Sequence, residues 1–163
     1  MKYTFTFLFA LCAAVSFGQQ SVLEDFEGSP TVSGFEGLGG ATIEAAPSGT
    51  NTNSFKLVTS TSSTGKAWQG AQIDLASGSY ADLTTDKTMK IDVYSTTAFS
   101  LTAKVEDKVA NTAPAAANTQ AHAGEGWQTL TFTFNTGSDG TATANGVYTR
   151  VASPSTPTQL AAY

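Results

Sequence analysis

The side chains in this 163-residue chain best suited to chemistry are aromatic and acidic ones on strand-like stretches. Trp68 and Trp127 could each lay a flat ring on the apolar C–H face of a pyranose, while nearby carboxylates and amides bond the sugar hydroxyls. Asp92, Tyr94, Lys104 and Glu106 supply groups of that kind. Each also has a plainer reading. Trp127, directly after Gly126, reads equally as a ring closing one end of a core. Trp68, beside Gly70 and Ala71, leans towards packing, and Tyr94, Lys104 and Glu106 read as an ordinary solvated face. The single histidine, His122, reads as a polar loop residue.

Catalysis has fewer parts to draw on. The chain has no H-E-x-x-H and no G-x-S-x-G, and its one cysteine, Cys12, lies in the apolar leader. A glycosidase needs only two carboxylates across a cleft. The one dense acidic cluster, Glu24, Asp25 and Glu27, sits near the start and has no spacing that marks a catalytic pair. The expectation is a chain that binds and is not an enzyme.

The elements that must carry these residues are strands. Within residues 88–107, Met89, Ile91 and Val93 alternate with Lys90, Asp92 and Tyr94. Phe99, Leu101, Ala103 and Val105 then alternate with Ser100, Thr102, Lys104 and Glu106. Period-two alternation gives each run one dry and one wet edge, as in an antiparallel sheet packed on one face. The stretch therefore predicts two strands folded back on each other, with Asp92, Tyr94, Lys104 and Glu106 on one wet face. Residues 127–134 (WQTLTFTF) predict the clearest strand, with Leu130, Phe132 and Phe134 inward and Trp127 outward. Further strands are expected at residues 21–27, 41–45, 54–60, 67–75 and 146–152. Residues 34–40 and 108–126 read as loops, and 153–163, with Pro154 and Pro157, as an irregular tail. No stretch sustains a period near 3.6, so the chain is expected to be an all-β sandwich or jelly roll.

Composition bounds the partners. Eight basic residues stand against 13 acidic ones, with no basic cluster, which argues against nucleic acid and anionic lipid. Residues 1–18 combine Lys2, an apolar run from Phe5 to Phe17 and the small residues Ser16 and Gly18, the pattern of a cleaved secretory leader. The run is too short to span a bilayer, and no later stretch is long enough. Residues 19–152 are then the domain, secreted or held at the cell surface, and with Cys12 gone it must stand without disulfides.

The series DFE, GFEG, KLVTS, WQGA, DLTT, residues 88–107, HAGEGWQTLTFTF and NGVY resembles a β-sandwich carbohydrate-binding domain of secreted marine-bacterial glycan-degrading proteins, over about residues 21–148. Such domains accompany laminarinase-like glycoside hydrolases or sit on surface glycan-binding proteins. The resemblance implies a non-catalytic jelly roll of galactose-binding type that takes a polysaccharide, β-glucan of the laminarin type first. It also implies a structural calcium held partly by Asp25 and Glu27. The alternatives are a structural or adhesin-like extracellular β-domain, or an inactive accessory fragment of a glycoside hydrolase. After Val151 the chain departs from the pattern, since an apolar strand and an acidic final strand are missing. The expectation is a sandwich lacking its final strands, truncated from a longer protein and prone to self-association. Export should remove residues 1–18, so the intact mass of the exported protein should begin at Gln19. A product keeping Met1 would remove the secreted reading.

Overall fold

The computed structural model describes residues 22–28, 30–47, 53–60, 65–137, 140–154 and 161–162. The expected leader, residues 1–18, lies outside the described residues. Twelve strands make up the regular structure: β1 (Thr31–Phe35), β2 (Gly40–Ala45), β3 (Asn53–Val58), β4 (Gly70–Asp74), β5 (Ala81–Asp82), β6 (Thr88–Ser95), β7 (Phe99–Glu106), β8 (Ala116–His122), β9 (Gly126–Thr133), β10 (Val147–Tyr148), β11 (Arg150–Pro154) and β12 (Ala161–Ala162). The fold is all-β, and among the described residues no helix is long and apolar enough to cross a membrane. All pairing is antiparallel. One sheet runs β1-β4-β11-β7-β8, and the remaining strands pair as β6-β9, β12-β3-β2 and β10-β5.

The alternation in residues 88–107 places its side chains as expected but not its strands. β6 and β7 do not pair with each other. β6 pairs with β9 along its whole length, while β7 lies between β8 and β11. The link at residues 96–98 is thus an arch from one layer to the other. Thr97 N–H donates to Ser95 Oγ at 3.0 Å, and Ser95 Oγ donates to Thr97 O at 2.7 Å, a local bond set that turns the chain out of its sheet. Crossing over lets Met89 and Val93 meet Leu101, Ala103 and Val105 face to face. Every one of these is under a tenth exposed, and Leu130, Phe132 and Phe134 from the β9 stretch complete the same core. Burying a side chain of this size contributes roughly 1.5–3 kcal/mol.

Four expectations are corrected. Residues 21–27 hold no strand over their described part, because Glu24 and Asp25 bond the backbone N–H groups of Phe26 and Glu27 two residues on and curl the chain locally. The first strand is β1, partly inside the expected 34–40 loop. The expected 108–126 loop contains β8, whose inward positions opposite β7 are Ala116, Asn118, Gln120 and His122. No apolar alternation marks it, since Gln120 Nε2 and Asn118 Oδ1 satisfy each other at 2.8 Å. The tail is not wholly irregular. β11 extends through Pro154 against β4, and β12 pairs with β3 at Val58 and Leu57.

Two buried polar groups order the connections. Tyr148, fully buried, donates its hydroxyl to Pro114 O at 3.0 Å and accepts from Asn145 N–H at 3.1 Å, tying two loops to the core. Asp107 closes β7 by accepting from the N–H groups of Thr112, Ala110 and Ala113 and from the Thr112 hydroxyl, at 2.8–3.4 Å. Those donors, Thr112 N–H first, hold its carboxyl well below the ordinary 3.8, against the opposing effect of burial. A carboxylate depressed in the folded state contributes stability that is complete above the unfolded pKa and is lost as pH falls below it. The melting temperature should therefore drop on acidification below about pH 4, and Asp107→Asn should flatten that drop while lowering stability at neutral pH. Thermal melts of both proteins across the acid range check this.

Candidate functional site

The register of β6 against β9 builds the best-defined surface for chemistry. Tyr94 stands opposite Trp127 and Asp92 opposite Thr129, all on the outward face because Met89, Val93, Leu130 and Phe132 fill the inward one. Directly opposed side chains on one face are close enough to interact. The Tyr94 and Trp127 rings meet edge-on, with centroids 5.6 Å apart and planes at 64°. Trp127 Nε1 donates to Pro47 O at 2.9 Å, fixing the indole under the segment that follows β2. Next to the pair, Thr129 Oγ1 donates to Asp92 Oδ1 at 2.6 Å, and both side chains are exposed. Lys90 and Thr131 continue this face by one further register step. The result is an aromatic wall beside a hydroxyl–carboxylate pair, on a strand ribbon stiffened by its own ladder.

His122 supports this surface from below. It is 1% exposed and stacked on Phe99, with ring centroids 5.2 Å apart, so the polar-loop reading is corrected. Gly124 N–H donates to Nδ1 at 2.9 Å, which leaves Nε2 to carry the proton and donate to Val93 O at 3.1 Å. One imidazole thereby ties the 123–125 turn, just before Trp127, to the β6 backbone just before Tyr94.

The other expected binding residues lie elsewhere. Because β7 belongs to the opposite layer, Lys104 and Glu106 face away from Asp92 and Tyr94, and the single wet face expected for the four is split in two. Glu106 pairs with Lys104 at 3.0 Å, Lys108 at 3.4 Å and Arg150 at 3.7 Å. Arg150 also grips Asp74 through two bonds, at 2.5 and 3.1 Å. Burial pushes the Glu106 carboxyl up, but Lys104 and Lys108 more than offset this and hold it below its ordinary value. The Asp74 bonds raise the Arg150 guanidinium. The cluster stitches β7, β11 and β4 together across their outer face. Trp68, 59% exposed, sits in the turn before β4 and so is neither core packing nor part of the aromatic pair. The buried residue there is its neighbour Gln69, which clamps Ser60 by accepting from its N–H and donating to its carbonyl.

No family model matches the chain, and comparison with curated proteins returns no relative. The residues themselves must carry the functional reading.

The residues expected to hold calcium bond within the protein. Both Glu27 carboxylate oxygens accept from Asn53, at 2.8 and 3.0 Å, and Asp25 Oδ1 accepts from Glu27 N–H at 3.0 Å. Among the described residues no group of three or more His, Cys, Asp or Glu is placed to hold a metal ion, whereas calcium takes six to eight oxygens. An open cleft of about 450 Å³ between residues 22–31 and 74–77 has Glu24, Asp25 and Asp74 on its wall, away from the aromatic pair. Calcium enters no step below.

The support beneath the site can be tested at Gly124. Its φ is +83°, and a Cβ there would run into the backbone at Thr97 and Ala98. Gly124→Ala should lose about 1–3 kcal/mol of stability in urea unfolding. Unchanged stability would show that the turn is not held against the arch.

Proposed function

We propose that this chain is a secreted, non-catalytic module of jelly-roll type that binds polysaccharide through the outer face of β6 and β9. β-Glucan of the laminarin type is the first substrate class to try. The observation that carries the reading is the Tyr94–Trp127 pair beside exposed Asp92 and Thr129. A ring standing on a sheet face offers the apolar surface that a pyranose C–H face stacks on, and the hydroxyl–carboxylate pair offers donors and acceptors to the sugar edge. Lys104, Glu106 and Trp68 have no part in this site. The same reading has the chain act outside the cell and beside a glycoside hydrolase domain in a parent protein.

A structural or adhesin-like role is the second reading. It is favoured by the bond from Trp127 Nε1 to Pro47, which makes the indole also a fastening for the segment after β2. Affinity gel electrophoresis in β-glucan separates the two. Trp127→Ala should weaken retention by about 1 kcal/mol, roughly fivefold in Kd, while cooperative unfolding persists. Tyr94→Ala should act in the same direction. Wild-type protein that migrates unretarded through the gel and binds no polysaccharide on a glycan array would leave the structural role standing.

A further inference from the structure

Between β3 and β6 the second layer has a seam. β3 is fully paired with β2 on one side, but on the other, among the described residues, only Leu57 and Val58 meet β12, which also lies beside β6. Beneath the seam is a cavity of about 90 Å³. Phe55 and Leu57, Ile91 and Val93, Leu101 and Val151 supply half of its lining residues, from four strands of both layers. Its one buried hydroxyl, Ser153 Oγ, has no hydrogen-bond partner among the described residues.

Phe26 lines this cavity and packs on Phe55, with ring centroids 6.0 Å apart. Its backbone is held at φ +63°, a left-handed conformation that a bulky aromatic residue adopts only when its surroundings impose it. Three acidic residues flank it here. Glu24 Oε1 accepts from Phe26 N–H at 2.7 Å, and Asp25 Oδ1 accepts from Glu27 N–H at 3.0 Å. Glu27 in turn clasps the start of β3 by accepting from both the backbone and the side-chain nitrogens of Asn53. One oxygen each of Glu24 and Asp25 accepts from this segment's own backbone and both Glu27 oxygens accept from Asn53, a clasp on either side of the ring.

We propose that the seam is a closable binding pocket for a small uncharged molecule with an apolar body and one hydrogen-bonding group. Phe26 is its lid, and Glu24, Asp25 and Glu27 are the latch. Swinging the ring out adds the volume of a benzyl group to the cavity. The guest's polar group then meets Ser153 Oγ, whose burial without a partner is otherwise a cost. Asp92 of the β6–β9 face also lines this cavity, but the pocket does not depend on the glycan reading. A lid that is closed most of the time reduces apparent affinity by the fraction of molecules in which it is open. Loosening the latch should therefore tighten binding without changing any residue that touches the guest.

The experiment is a fluorescence titration of the full folded chain with N-phenyl-1-naphthylamine, an uncharged apolar amine. Wild type is compared with Glu27→Gln, which keeps the ring but sets an amide against the Asn53 side-chain nitrogen, and with Phe26→Ala. Saturable binding that tightens about threefold in Glu27→Gln and about tenfold in Phe26→Ala is expected, from the shifted open fraction. Equal affinity in all three proteins overturns the proposal. So does a gain confined to Phe26→Ala, which would mark a hole made by truncation. A Phe26→Ala chain that no longer unfolds cooperatively overturns it as well, because the ring would then be a fixed part of the core.

Discussion

The contact across the core between β6 and β7 governs the arrangement of the other strands. Met89 and Val93 on one strand and Leu101, Ala103 and Val105 on the next must be buried, and joining them by an arch buries both sets against each other in one step. The price is that neither strand can satisfy its backbone with its sequence neighbour. β6 has to find β9 more than 30 positions later, and β7 has to find β8 and β11. Those long-range ladders then set where Trp127, Arg150 and the terminal strands can lie.

The same constraint sorts the polar residues. The outward face of β6 and β9 collects the aromatic pair and the Asp92–Thr129 bond, whereas the outward face of β7 and β11 collects a charge network of Glu106, Lys104, Lys108, Arg150 and Asp74. Partly exposed ion pairs contribute at most about 1 kcal/mol each, so that network acts mainly by fixing how β4, β11 and β7 sit side by side. The aromatic face is anchored differently, through single directional bonds, one buried and one part-buried. His122 reaches β6 from beneath, and Trp127 reaches Pro47 from the side. A surface positioned by directional bonds to backbone carbonyls keeps its shape, which suits the proposed recognition better than a layer of mobile charges would.

The seam beside β3 shows what happens where the ladder is incomplete. Among the described residues little of β3's second edge is paired, and in the proposed pocket the Phe26 ring, on a left-handed backbone bonded by Glu24, closes the core there in place of a strand. Sealing of this kind is local and reversible in a way that a strand inserted along its full length is not.

The sequence by itself determined the all-β class and which side of most strands is buried. Alternation with period two can be read without knowing any partner, and Leu130, Phe132, Met89, Val93, Leu101 and Val105 all lie inward as their spacing requires. It could not show that β6 and β7 part company, because a hairpin and an arch have the same alternation on either side of a short polar turn. It could not show β8, whose inward side chains are alanine, amides and a histidine with no apolar signature. The acidic cluster looked the same in sequence whatever its oxygens accept from, and only the fold brings Asn53 to Glu27. The meeting of Tyr94 and Trp127, and the parting of Lys104 and Glu106 from Asp92, were likewise decided by strand register and layer. Both are set by the shared core and not by any local run of residues.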